Sequence, residues 1–88
     1  MTLDQYTHGH LLAKLYRIEQ RYYNPNAIAQ PYYPGKEDIR LAIQAIKSRH
    51  AKPIIILQGY GVVAGVHTLE AYKQLGHDRV PVLFGKLK

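Results

Sequence analysis

Between Lys36 and His50, apolar side chains recur at Ile39, Ala42, Ile43 and Ile46, a spacing that places them on one face of a helix. Glu37 and Asp38 in the first turn, and Lys47, Arg49 and His50 in the last, complement the helix dipole. Pro53 stops this helix and opens the run Ile54 to Leu57, whose shortness and β-branched residues predict a buried strand. Gln58 to Gly61 reads as a turn into a second short strand over Val62 to Ala64, so the two strands form a hairpin. Gly65 breaks it, and Thr68 to Leu75 reads as a short helix, with Thr68 or a residue just before it as cap and Gly76 as stop. Val80 to Phe84 makes a last strand, in which Pro81 points to a sheet edge or to the strand's first residues.

Upstream, Leu11, Leu15, Ile18 and Tyr22 repeat at helical spacing and predict a helix over Thr7 to Tyr22. Thr2 to Gln5 has the capping-box pattern and suggests an earlier start, which Gly9 opposes. From Tyr23 to Gly35, three prolines predict a loop. The pattern therefore predicts one domain over 1–88: an N-terminal helix over 1–22, a Pro/Tyr-rich loop over 23–35 and an α/β core over 36–88. The fold class is α/β of the α+β kind, a small mixed β-sheet with packed helices. Residues 53–57 and 80–84 share the sheet, the helices at 39–49 and 69–75 pack against it, and Ile43 and Ile46 are buried. No internal repeat or interdomain linker is visible.

Length agrees with a single core, since 88 residues bury only roughly 60 to 65% of their unfolded surface. Apolar residues make up 47% of the chain, too many for a disordered tail. The absence of cysteine excludes disulfides, a thiolate nucleophile and a cysteine zinc site. No basic region followed by an apolar stretch opens the chain, and the longest aliphatic run is far too short for a membrane, so a cytoplasmic location is the expectation. Twelve Lys and Arg against six Asp and Glu give a net charge of +6, which favours an anionic partner such as a nucleotide or nucleic acid. A basic surface with no polyanion partner is the plainer alternative.

The most informative chemistry is a strand that ends at Gly65 and feeds a helix. The first N–H groups of a helix lack partners and carry partial positive charge, which suits a phosphate. Gly65 would clear the approach to the backbone, and His67 would set an imidazole at the rim; the alternative is a mere turn glycine and an exposed cap. Gly59, Gly61 and Gly65 only superficially resemble a dinucleotide fingerprint, because Val62 and Val63 continue as strand where the helix must begin, and no Walker pattern occurs. Lys14, Arg17 and Arg21, at i, i+3 and i+7 on the predicted helix, form a row that a nucleic-acid backbone can track, or that merely covers the core edge with its stems. Tyr22 with Tyr23 and Tyr32 with Tyr33 offer rings for base stacking or for packing at the rim. His8 and His10 point apart on a helix, so no metal site is expected, and no nucleophile–base pair stands out beyond the neighbours Ser48 and His50.

The order of these pieces resembles the ParB and sulfiredoxin superfamily of small α/β domains. The matching elements are the loop through Asn24, Pro25, Gln30 and Pro31 that ends Pro34-Gly35-Lys36, and the helix from Ile39 to Arg49. The strand opening at Pro53, the turn Gly65-Val66-His67-Thr68, the helix from Leu69 to Gly76 and the closing Val80-Pro81-Val82 follow in order. The resemblance implies that Gly65, Val66, His67 and Thr68 face phosphate. No cofactor is demanded, but a nucleoside di- or triphosphate with Mg is the ligand class it suggests. Val66 stands where sulfiredoxins carry their reactive cysteine, so that activity is excluded. Thr68 replaces the arginine of both relatives, removing a bidentate clamp unless Lys36, Arg40 or Lys73 compensates. The chain ends at Lys88 without the helix-turn-helix of ParB proteins, so sequence-specific operator binding is not expected. Similar stand-alone domains belong to phages and plasmids.

Three functions fit. The first is a phosphate-recognising module for a nucleotide or a nucleic-acid backbone. The second is an enzyme, a phosphotransferase or weak nuclease, which loss of the arginine disfavours. The third is an accessory factor that keeps the fold and binds a partner protein.

Overall fold

The structure is a computed structural model and describes residues 15–88. Strand β1 (Tyr16–Tyr23) is followed by a single 3-10 turn (Pro25–Ala27) and helix α1 (Lys36–Lys47). The hairpin of β2 (Ile54–Leu57) and β3 (Gly61–Ala64), helix α2 (Val66–Gln74) and strand β4 (Val80–Leu87) complete the chain. The sheet runs β1-β4-β2-β3, with β4 antiparallel to β1 and parallel to β2, and β2 antiparallel to β3. This is the mixed sheet with packed helices that the pattern predicts. Among the described residues no helix is long and apolar enough to cross a membrane.

The helix expected through Tyr22 is corrected: its second half is β1, while residues 1–14, Leu11 and Lys14 included, lie outside the described residues. Leu15 and Tyr22, two members of the expected apolar stripe, are 61% and 54% exposed, whereas Tyr16 is 5% exposed. Over so short a stretch Tyr16 and Ile18 satisfy a period of two as readily as Leu15, Ile18 and Tyr22 satisfy a helical one. Pairing with β4 along all eight residues decides between them.

Each sheet face carries its own cluster, as the alternation of side chains requires. On one face Ile54, Val80 and Val82 pack with Leu69 of α2, flanked by Tyr23, Ile28, Ile56, Val62 and Tyr72. On the other, Tyr16, Ile55 and Leu57 meet Ile18, Ala64 and Leu83. Gly85 makes the second cluster possible, because a Cβ there would lie 2.5 Å from Leu57 Cδ2 and 3.3 Å from Tyr16. Gly85→Ala is expected to cost about 1 to 3 kcal/mol by overpacking, read from the denaturant midpoint at unchanged slope.

Helix α1 packs chiefly on α2, not on the sheet as expected. Its buried residue is the small Ala42, which lets the helices approach, and Ile43 and Ile46 are only half-buried. Pro81 is not at an edge, since β4 is an inner strand; it is the second residue of β4. The backbone of odd-numbered β4 residues turns toward β2, as the bond from Gln58 N to the Gly85 carbonyl (2.8 Å) shows. Pairing of β2 with β4 starts only at Val82, so the missing N–H of Pro81 breaks no ladder bond.

Candidate functional site

Helix α2 begins at Val66, earlier than the sequence pattern suggests, with Gly65 at its N-cap and no side-chain cap. Thr68 is therefore a first-turn residue and not the cap. Gly65 has φ 81°, and a Cβ on it would fall 2.4 Å from the Pro53 carbonyl oxygen and 2.7 Å from Ile54 Cα. The glycine is thus required because the turn presses against the start of β2, and its missing side chain points at backbone rather than at a ligand space. The first intrahelical bond runs from Leu69 N to Gly65 O (2.9 Å), which leaves the N–H groups of Val66, His67 and Thr68 without helical acceptors.

Beside this turn, a cleft of about 360 Å³ opens between α1 and α2, with Asp38, Ala42, His50, Lys52, His67 and Thr68 among its walls. Val66 and Thr68 are buried and His67 is exposed, so the imidazole stands at the mouth and Thr68 forms part of the floor. Tyr32 from the Pro/Tyr loop lies edge-on to His67, ring centroids 6.3 Å apart and its hydroxyl 3.5 Å from Nε2. His50 Nδ1 sits 3.3 Å from Ser48 Oγ.

His50 and Lys52 reach the cleft because of how α1 ends. The N–H of Arg49 donates to the Ile46 carbonyl and that of His50 to the Ala45 carbonyl (2.8 Å), a Schellman ending in which Arg49 takes the left-handed conformation at φ 62°. The chain then turns back toward α2 and delivers Ala51, Lys52 and Pro53 into β2. Sequence reasoning missed Lys52, and it weighed His50 only as a helix-end residue suited to the dipole and as a neighbour of Ser48. The available signal was that both residues lie between a helix end and the strand whose hairpin leads to the glycine turn.

The other cations assigned from sequence are placed elsewhere. At about 100° per residue, Lys36 and Arg40 fall on the side of α1 opposite Asp38, Ala42 and Ala45. Arg40 is also held by two hydrogen bonds to Glu37, and these bonds keep the Glu37 carboxyl below its ordinary value. Lys73 sits in the last turn of α2, where its Nζ donates to the Ile28 carbonyl (3.1 Å) and to Gln30 Oε1, tying the Pro/Tyr loop to the helix. Arg17 and Arg21 share one face of β1 rather than a helical row. Arg21 donates to Tyr23 (3.2 Å) and Glu19 (2.9 Å) and lies 4.0 Å over the Phe84 ring, and these hydrogen bonds raise its pKa. The structure therefore brings His67 and Thr68 together with His50 and Lys52, and leaves Lys36, Arg40, Lys73, Arg17 and Arg21 outside the cleft. Among the described residues no group of three or more His, Asp or Glu side chains is arranged to hold a metal ion.

No protein-family model matches the chain, and no curated protein matches it. Among solved structures, it is similar to one described as a Pnob8-like ParB-N domain, at 14% identity and a TM-score of 0.62 over 83% of this chain. The match spans 32% of that longer chain. At this identity the likeness is one of fold, and it agrees with the order of elements set out above: the chain carries a ParB-N-like α+β fold.

Proposed function

We propose that this domain recognises phosphate, as part of a nucleotide or a nucleic-acid backbone, in the cleft at the start of α2. The observation that carries the reading is the convergence of Lys52, His50 and His67 on the first turn of a helix whose leading N–H groups have no helical acceptors. A net charge of +6 favours the arrival of such a ligand. Lys52 acts as the point charge, and His67 donates from the mouth of the cleft.

Asp38 shares the wall and would oppose a bare anion, but it suits one that arrives with Mg, which is commonly held by one carboxylate together with substrate phosphates. A nucleoside di- or triphosphate with Mg is therefore preferred to inorganic phosphate. The exposed ring of Tyr32, beside His67, offers a face to the base.

His67→Ala removes one contact from a site whose backbone is intact. It is expected to weaken nucleotide binding about ten- to a hundredfold, the worth of one hydrogen bond to a charged group. Isothermal titration against the native chain measures this, and equal affinities would remove His67 from the site.

A further inference from the structure

The two edges of the sheet are unequal. β3 is four residues long and its pairing with β2 is broken by a register shift, so that edge is blunted. β1 is eight residues long, and no described strand pairs with its outer side. The phase of its backbone follows from one bond: Lys88 N donates to the Leu15 carbonyl (3.2 Å), in the register that pairs Tyr16 with Leu87. Odd-numbered residues of β1 therefore turn their N–H and C=O toward β4, and Ile18, Gln20 and Tyr22 turn theirs outward.

We propose that this outer edge is a self-association site, on which β1 of a second copy of the chain pairs antiparallel and joins the two sheets into one. Outward-facing groups must meet outward-facing groups, so even-numbered residues pair with even-numbered ones. Among such registers, the one with its two-fold axis at Gln20 sets Ile18 opposite Tyr22 of the second copy and Gln20 opposite its equivalent. It sets Glu19 opposite Arg21 twice, and Arg17 opposite Tyr23. These last are the non-hydrogen-bonded positions, where Cα atoms approach to about 4.5 Å and side chains are closest. Centring on Glu19 instead opposes Glu19 to itself and Arg17 to Arg21. Centring on Ile18 leaves Tyr22 and Tyr23 outside the ladder.

Charges on an edge strand ordinarily guard it. Here Arg17, Glu19 and Arg21 alternate in sign along one face, so antiparallel pairing about Gln20 turns the guard into complementarity. Glu19 and Arg21 already lie 2.8 Å apart within one strand, and pairing closes the four groups of two copies into a ring. The 54%-exposed Tyr22 gains a cover in Ile18.

The test is a charge exchange read by sedimentation velocity. The native chain is expected to dimerise with increasing concentration, and Glu19→Arg alone or Arg21→Glu alone to weaken dimerisation about tenfold or more, because each sets like charges opposite. Mixed in equal amounts, the two variants are expected to associate with each other as the native chain does, since every opposed pair is then complementary. A native chain that stays monomeric, or a mixture no better than its components, overturns the proposal. Gln20→Cys gives a readout free of charge changes in a chain without cysteine. It is expected to oxidise to a disulfide-linked dimer faster than Ile18→Cys or Glu19→Cys, and preferential cross-linking at either of those positions contradicts the register.

Discussion

Gly65→Ala is expected to lower stability by about 2 to 6 kcal/mol, which at about 4 to 8 °C per kcal/mol in a domain of this size moves the melting temperature by roughly 8 to 48 °C. Two costs add. The left-handed backbone, at φ 81°, costs a non-glycine residue about 1 to 3 kcal/mol. The new Cβ also meets the Pro53 carbonyl oxygen at 2.4 Å and Ile54 Cα at 2.7 Å, where only backbone can give way, and overpacking of this kind costs about 1 to 3 kcal/mol more. Gly61 separates these terms, because its φ is 84° but nothing lies within 4 Å of the added carbon. Gly61→Ala should show the conformational cost alone, and equal losses at both positions would mean that the contact with β2 contributes nothing. As Gly65 is set against β2, its substitution tests the fold before it tests any ligand.

Lys52→Glu is expected to abolish nucleotide binding with little loss of stability. Lys52 is exposed, and among the described residues its side chain has no hydrogen-bond or ion-pair partner, so their packing does not depend on its charge. In the cleft, the change removes a charge-assisted contact worth about 1.5 to 3 kcal/mol and adds a second carboxylate beside Asp38. A loss of about a hundredfold or more in affinity follows, with an unchanged melting temperature in the absence of ligand. Lys36→Glu is the matched control, because Lys36 lies on the opposite side of α1. Equal losses from the two changes would point to the general positive field, and not to the cleft, as the source of attraction.

The core of this fold was legible because its signals are local. The period of Ile39 to Ile46, the β-branched run at Ile54 to Leu57 and the glycines at 65 and 76 each mark an element or its end, and all four match the structure. The strand at Tyr16–Tyr23 was not legible, because its conformation is set by a partner more than fifty residues away in sequence. Burial of Tyr16 against Ile55 and Leu57 cannot be seen from a window around Tyr16. Helix α1 was found, but its resting place was not, since Ala42 carries the contact with α2 while the larger Ile43 and Ile46 stay half-exposed.

For the site, the turn before α2 was legible from a glycine placed between a strand and a helix. The residues that complete the cleft were not. Lys52 and His50 arrive there only because Arg49 adopts a left-handed conformation that the sequence does not announce, as glycine and asparagine are the usual occupants of such a position. Lys36, Arg40 and Lys73 were named as compensating cations from charge alone, and helical geometry directs them elsewhere.

The most direct measurement is isothermal titration of the native chain and of Thr68→Arg with ATP, ADP, CTP and a short oligonucleotide, each with and without Mg. Thr68 is 5% exposed and lines the cleft, so an arginine there would extend into it and supply the bidentate contact that threonine lacks. The account predicts binding by the native chain that Mg strengthens, and tighter binding by Thr68→Arg. Absence of binding by both proteins, with and without Mg, would contradict phosphate recognition and favour a protein-binding role.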